Sequence, residues 1–140
     1  MIKNNNPGNI RPLPDKDGKP QSWLGSTGVS DKNFVIFSTL QYGLRAYFKS
    51  LHTAVFLHGR STIRMIISSY APPTGADGGN DTESYIKEMC TACKISDNEP
   101  IKWNKEFLIT FATEQLKIET GVIIDTNILT QGLEMANIIL

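Results

Sequence analysis

The segment IETGVIID, residues 118–125, places the carboxylate of Glu119 in what reads as the last turn of a helix, just before Gly121. Acidic residues are unfavourable there, because a helix C-terminus carries partial negative charge. A residue set against its local preference is often one with a function. On a helical wheel at about 100° per residue, Glu119 falls between Leu108 and Ala112, on the apolar side, while Glu106, Thr110, Thr113 and Lys117 lie opposite. Partial burial and the helix dipole both disfavour the charged form, so both raise the carboxyl pKa. A Glu protonated near neutral pH is what a general acid requires. Cleavage of a glycosidic bond needs such an acid to protonate the leaving oxygen. The plain alternative is a carboxylate that snorkels to solvent or pairs with a Lys or Arg.

Other residues of chemical interest cluster near the N-terminus. Asn4, Asn5, Asn6, Asn9 and Arg11 have the donors and acceptors to bind N-acetyl and hydroxyl groups of a sugar. They are equally suited to forming turns around Pro7-Gly8. Trp23, Tyr42, Tyr70, Tyr85 and Trp103 offer aromatic faces on which a sugar ring can rest. Trp23, set between turn residues, is the strongest ligand-facing candidate, and most of the others suit a core. Arg45 sits among apolar helix residues, either paired with a carboxylate such as Glu119 or exposed. Asp31, Asp77 and Asp81 are candidates for a second carboxylate, which an inverting hydrolase needs roughly 6.5–9.5 Å from the acid. Asp81 is also a natural helix cap. Cys90 and Cys93 have CxxC spacing, but no second Cys or His pair completes a zinc set. Both fall on one helix face, which favours packing. A Cys–His peptidase would need His52 or His58 beside one of them. No metal or cofactor is expected.

These residues need a scaffold. The 140-residue chain is 40% hydrophobic and 20% charged, with a formal net charge of zero. That composition fits one globular domain over residues 1–140. Zero net charge removes the global footprint of a nucleic-acid or membrane-surface binder, though it allows a local basic patch. No stretch approaches the ~20 apolar residues of a membrane span. The start, MIKNNNPGNI, lacks the apolar segment of a signal peptide. The first third is rich in Gly, Pro, Asn and Asp, with short extended pieces expected around Asn9–Leu13, Ser22–Leu24 and Asn33–Phe37, read as two or three short strands or an irregular hairpin. Five helices are then predicted. The first runs from Thr39 to His58 behind a Ser38–Gln41 capping box and stops at Gly59. The second runs from about Ser61 to before Pro72-Pro73, and the third from Asp81 or Thr82 to Cys93. The fourth covers Trp103–Thr120. The fifth covers Thr126–Ile139, capped by Asp125 or Thr126. The fold class is α+β, a small turn-rich β element followed by about five helices.

NNNPGNIR (Asn4–Arg11), WLG (Trp23–Gly25), FVIFSTLQYGLRA (Phe34–Ala46), STIRMIISSYAPP (Ser61–Pro73) and NDTESYI (Asn80–Ile86) occur in that order. Together they resemble a family of phage-encoded, virion- or tail-associated lysozyme-like peptidoglycan hydrolases. The resemblance covers most of the first 90 residues. Related bacterial glucosaminidases and lytic transglycosylases end a helix with E-S-G, which supplies the catalytic Glu, before an N-N-x-F-G-I-K stretch. Here KIETG, Lys117–Gly121, is similar to that helix end but comes late, which implies a circularly permuted order. The chain departs from the family where P-P-x-E-N-x-T is expected. It reads PPTGADGGNDT, with no Glu and with Asp77 in a longer Gly-rich loop.

The resemblance implies a lysozyme-like fold that cuts peptidoglycan glycan strands between N-acetylmuramic acid and N-acetylglucosamine. Glu119 would be the acid, and Asn6, Asn9, Arg11, Trp23, Tyr70 and Asp77 the substrate-binding residues. A lytic transglycosylase would take the sugar 6-hydroxyl as nucleophile, whereas a hydrolase would use water and a second carboxylate. The expected partners are glycan strands and virion or tail proteins, without nucleic acid or membrane insertion. The expected location is a phage virion, or the cytoplasm of the producing bacterium before action on the periplasmic wall. Two other classes compete: a non-catalytic virion or wall-binding module of the same fold, and an antibacterial toxin with a dedicated inhibitor.

Overall fold

The computed structural model describes residues 2–16, 19–72 and 81–140. It is an α+β arrangement with a short 3-10 turn at Lys3–Asn5, four short strands and five α-helices among the described residues. Strands β1 (Leu13–Lys16) and β2 (Lys19–Gln21) form one antiparallel pair, and β3 (Ser26–Val29) and β4 (Val35–Phe37) form another. The register of the second pair runs Ser26↔Phe37 and Val29↔Val35, with an irregularity between Ser26 and Gly28. The sequence expectation for the strands is corrected here. Only Val35–Phe37 lies inside an expected piece, Asn9–Leu13 is non-strand up to Leu13, and Ser22–Leu24 is a connection. The N-terminal residues bond to β4 through the Val35 N–H to the Ile10 carbonyl at 3.0 Å and through the Asn5 and Asn6 amides, which donate to the Phe37 and Val35 carbonyls.

The helices follow the cap signals closely. They are α1 (Leu40–Phe56), α2 (Ile63–Tyr70), α3 (Thr82–Cys93), α4 (Lys105–Thr120) and α5 (Thr126–Ala136). The cap of α1 is Thr39, whose hydroxyl accepts from the Tyr42 N–H, so the Ser38–Gln41 box does not form. Gln41 instead donates to the Gln131 side chain on α5. Thr62, Asp81, Asn104 and Asp125 cap the other four in the same way, each satisfying an orphan N–H of the first turn.

One core joins the five helices. Leu44, Phe48, Leu51, Ile63, Ile67, Met89, Leu108, Phe111, Leu116 and Leu129 are all at or below 5% exposure. α1 lies against α5 closely enough that a Cβ on Gly132 would overlap the Leu44 side chain. A smaller cluster of Ile10, Val35, Phe37 and Ala46 ties the β3–β4 pair to the other side of α1. Gly43 permits that junction, because a side chain there would overlap the Asn5 carbonyl oxygen. α1 is therefore a shared spine, with the helical body on one face and the N-terminal loops and β3–β4 on another.

Candidate active site

The end of α4 is built to hold a carboxyl half in and half out of water. Leu108, Phe111, Ala112, Gln115 and Leu116 form its buried stripe, and Glu119 continues that stripe by one more turn. Gly121 stops the helix with φ 76°, and its N–H bonds to the Lys117 carbonyl. Left-handed backbone of this kind suits a residue without Cβ. Glu119 emerges where the helical body meets the N-terminal loops. Its carboxyl pKa is raised, chiefly by burial, and the nearby Tyr85 hydroxyl partly offsets that by favouring the ionised form.

Three phenols surround the carboxyl. Tyr47, Tyr70 and Tyr85 all have raised pKa values, in each case chiefly by burial and further by the Glu119 charge. The Tyr47 hydroxyl donates to Gln115 Oε1, and the Tyr70 hydroxyl donates to the Gly8 carbonyl. The Tyr85 hydroxyl and the Gln115 amide nitrogen are buried without a hydrogen-bond partner of ordinary geometry. Gln115 is 1% exposed and lies one turn before Glu119. Sequence reasoning missed it, although a Gln at its wheel position, between Phe111 and Leu108, was a legible signal.

Two hollows meet at Glu119. One, about 530 Å³, is lined by Ile2, Lys3, Asn4, Asn6, Asn9, the Ser30–Lys32 turn, Phe34, Glu119 and Thr120. The other, about 450 Å³, is lined by Gly8, Asn9, Ile10, Arg11, Trp23, Phe34, Ser50, Tyr70 and Glu119. Asn9, Phe34 and Glu119 belong to both, so the two are one groove with the carboxyl at its middle. The opposite wall is the N-terminal loop and the β3–β4 hairpin. In that hairpin Ser30 N–H bonds to the Phe34 carbonyl at 2.8 Å and Asn33 takes φ 65°.

The structure brings Asn9, Arg11, Trp23 and Tyr70 to the groove beside Glu119. Asn9, with φ 53°, is exposed and also serves the turn. Arg11 reaches across to the Lys32 carbonyl at 3.2 Å and lies 4.4 Å from the Phe34 ring centroid. The Trp23 indole N–H donates to the Arg11 carbonyl at 3.0 Å, which fixes the ring in the wall. Asn6 differs from these. It is 5% exposed, its amide donates to the Ile10 and Val35 carbonyls and accepts from the Ile10 N–H, so both its donors are used in shaping the wall. Asp77 lies outside the described residues.

Of the second-carboxylate candidates, Asp31 shares the larger hollow with Glu119, and Asp81 caps α3 through Ser84 N–H at 3.0 Å. Arg45 forms no ion pair with Glu119; it lies beside Lys49, Trp23 and Leu13. Trp103 is structural: it meets Phe56 edge to face and His52 at a tilt, and its indole N–H donates to the Ile139 carbonyl. Cys90 and Cys93 are free, half-buried and packed against the helical core, and burial pushes the Cys93 thiol up to about 11. Among the described residues no group of His, Cys, Asp or Glu converges as a metal set, and no helix is long and apolar enough to cross a membrane.

No protein-family model matches the chain. It is similar to protein P5 of Pseudoalteromonas phage PM2, with 32% identity over 121 residues that span 86% of this chain and 70% of that protein.

Proposed function

Since the chain belongs to the family of that phage protein P5, we propose that it is a single-domain, lysozyme-like phage protein that cuts the glycan strand of peptidoglycan. The observation that carries this reading is one carboxyl, Glu119, half-buried with a raised pKa at the middle of a polar groove. Asn, Trp and Tyr side chains around it suit a ligand with hydroxyl and acetamido groups and flat apolar ring faces.

In the reaction Glu119 gives its proton to the glycosidic oxygen as the bond to the anomeric carbon breaks and positive charge develops on the sugar ring. The ring of phenols then faces a carboxylate, and the Tyr85 hydroxyl, the group that favours the ionised form, is placed to receive that charge. Asp31, across the same hollow, is the carboxylate nominated to activate water in a hydrolase. A transglycosylase would close the sugar 6-hydroxyl onto the anomeric carbon without it. The partners of this reading are wall glycan strands, with virion proteins as carriers.

The test is release of soluble muropeptides from purified cell-wall sacculi by the parent chain and by Glu119→Gln. Release that is lost in the variant, with its circular dichroism retained, supports the reading. Equal release by both removes Glu119 from the chemistry. Wall binding without release by either leaves a non-catalytic wall-binding module. Mass spectrometry of the products separates a reducing end from the anhydro end of a transglycosylase.

A further inference from the structure

The groove does not end at Trp23. A third hollow of about 610 Å³ begins on the far side of that indole, lined by Leu13, Ser22, Leu24, Gly25, Ser26, Arg45 and Lys49. Trp23 is thus a partition shared with the Glu119 groove, and Ser50, in the wall of that groove, follows Lys49 directly on α1. Arg45 and Lys49 are four residues apart on one helix, so they stand about one turn apart on the same face. Both are half-exposed, and neither forms an ion pair among the described residues.

The charge along the whole path is lopsided. Lys3, Lys32, Arg11, Arg45 and Lys49 line the three hollows, against Asp31 and Glu119 alone. The chain as a whole has 14 basic and 14 acidic residues. A neutral polysaccharide gives no electrostatic reason for such a concentration, because like charges gathered along one surface repel one another unless an anion lies among them. Guanidinium and ammonium groups side by side suit carboxylates, Arg as a planar fork and Lys as a point charge. The exposed Leu24 at the rim adds an apolar surface.

Resting on the proposed glycan-cleaving reading, we infer that the Arg45–Lys49 hollow is a subsite for the carboxylate-rich peptide that hangs from alternate sugars of a peptidoglycan strand. The strand lies in the Glu119 groove, Trp23 marks where a peptide leaves it, and the peptide carboxylates meet Arg45 and Lys49. The preferred substrate is therefore peptide-bearing glycan rather than glycan stripped of peptides.

The experiment measures binding, so it does not depend on turnover. Glu119→Gln chain is titrated with soluble glycan strands bearing tetrapeptides, with the same strands stripped by an amidase and the lactyl carboxyls so freed capped as amides, and with peptide-bearing strands whose carboxyls are capped as amides. Peptide-bearing strands are expected to bind about three- to tenfold more tightly than either control, the range for two exposed charge contacts. Adding Arg45→Ala and Lys49→Ala together removes that preference and leaves stripped-strand binding unchanged. The preference also falls with salt. Equal binding of all three ligands overturns the inference, as does a double variant that weakens all three alike. A double variant that loses binding only to a phosphate-bearing wall polymer also overturns it, assigning the hollow to phosphate. A lost preference beside intact cleavage sinks this subsite alone. A retained preference without cleavage sinks the catalytic reading and leaves the subsite standing.

Discussion

The two walls of the groove are made differently. The α4 wall is an extension of the helical core: Glu119 rests on Gln115, and Tyr47, Tyr70 and Tyr85 enclose it from α1, α2 and α3. The facing wall is loop and hairpin, with Asn4, Asn9 and Asn33 in left-handed backbone and with Arg11 and Lys32 exposed. Burial on the first wall raises a carboxyl pKa, and exposure on the second leaves charged side chains open to solvent. On the proposed reading, chemistry therefore belongs to the buried side, and affinity to the wet side. A Glu moved to the hairpin would be an ordinary ionised carboxylate, and an Arg moved to the end of α4 would pair with the charge it is meant to leave alone.

Substitutions on the two walls should then act on different quantities. Glu119→Gln should lower turnover most, by about 10²–10⁴-fold, the usual range for a general acid. It should also stabilise the chain at neutral pH. Glu119 has a raised folded-state pKa, so the stability it lends is complete below the unfolded value of about 4.3 and is lost as pH rises through the folded value. The neutral Gln escapes that loss, and the gain should vanish in acid; thermal melts across pH read both. Leu116→Ala, in the fully buried core under the site, should cost about 2–5 kcal/mol in denaturant unfolding. Tyr85→Phe removes the hydroxyl that favours the ionised form, so Glu119 should stay protonated to higher pH and the alkaline limb of the rate profile should move upward. Folding should hardly suffer, because that hydroxyl is buried without a hydrogen bond of ordinary geometry. Arg11→Ala should act least, raising KM about two- to fivefold with kcat kept, as expected for an exposed charge. An Arg11 effect on kcat with no effect on KM would break the division between the walls.

Much of the helical wall was readable from sequence because its signals are local. Caps at Asp81 and Asp125, the stop at Gly121 and the position of Glu119 on the wheel all depend on residues within a turn or two. The cap of α1 falls one residue later than the sequence signal because Ser38 and Thr39 are both good caps; Thr39 takes the role, and Gln41 bonds to Gln131 on α5 instead of closing a box. The facing wall was poorly legible. Strand Ser26–Val29 contains Gly28 and pairs irregularly, so no alternation of apolar residues marks it. Asn6 looks like its exposed Asn neighbours, and only the fold reveals that its amide holds Ile10 to Val35. The link between Trp23 and Arg11, and the sharing of one hollow by Asp31 and Glu119 across 88 positions of sequence, are long-range facts that no local pattern encodes.

The most direct measurement is the pH profile of muropeptide release from purified sacculi by the parent chain and by Glu119→Gln. A carboxyl of raised pKa acting as general acid at the centre of the groove predicts release that falls as pH rises through the Glu119 pKa, and a variant with almost no release at any pH. Parent and variant profiles of equal height and shape would contradict it.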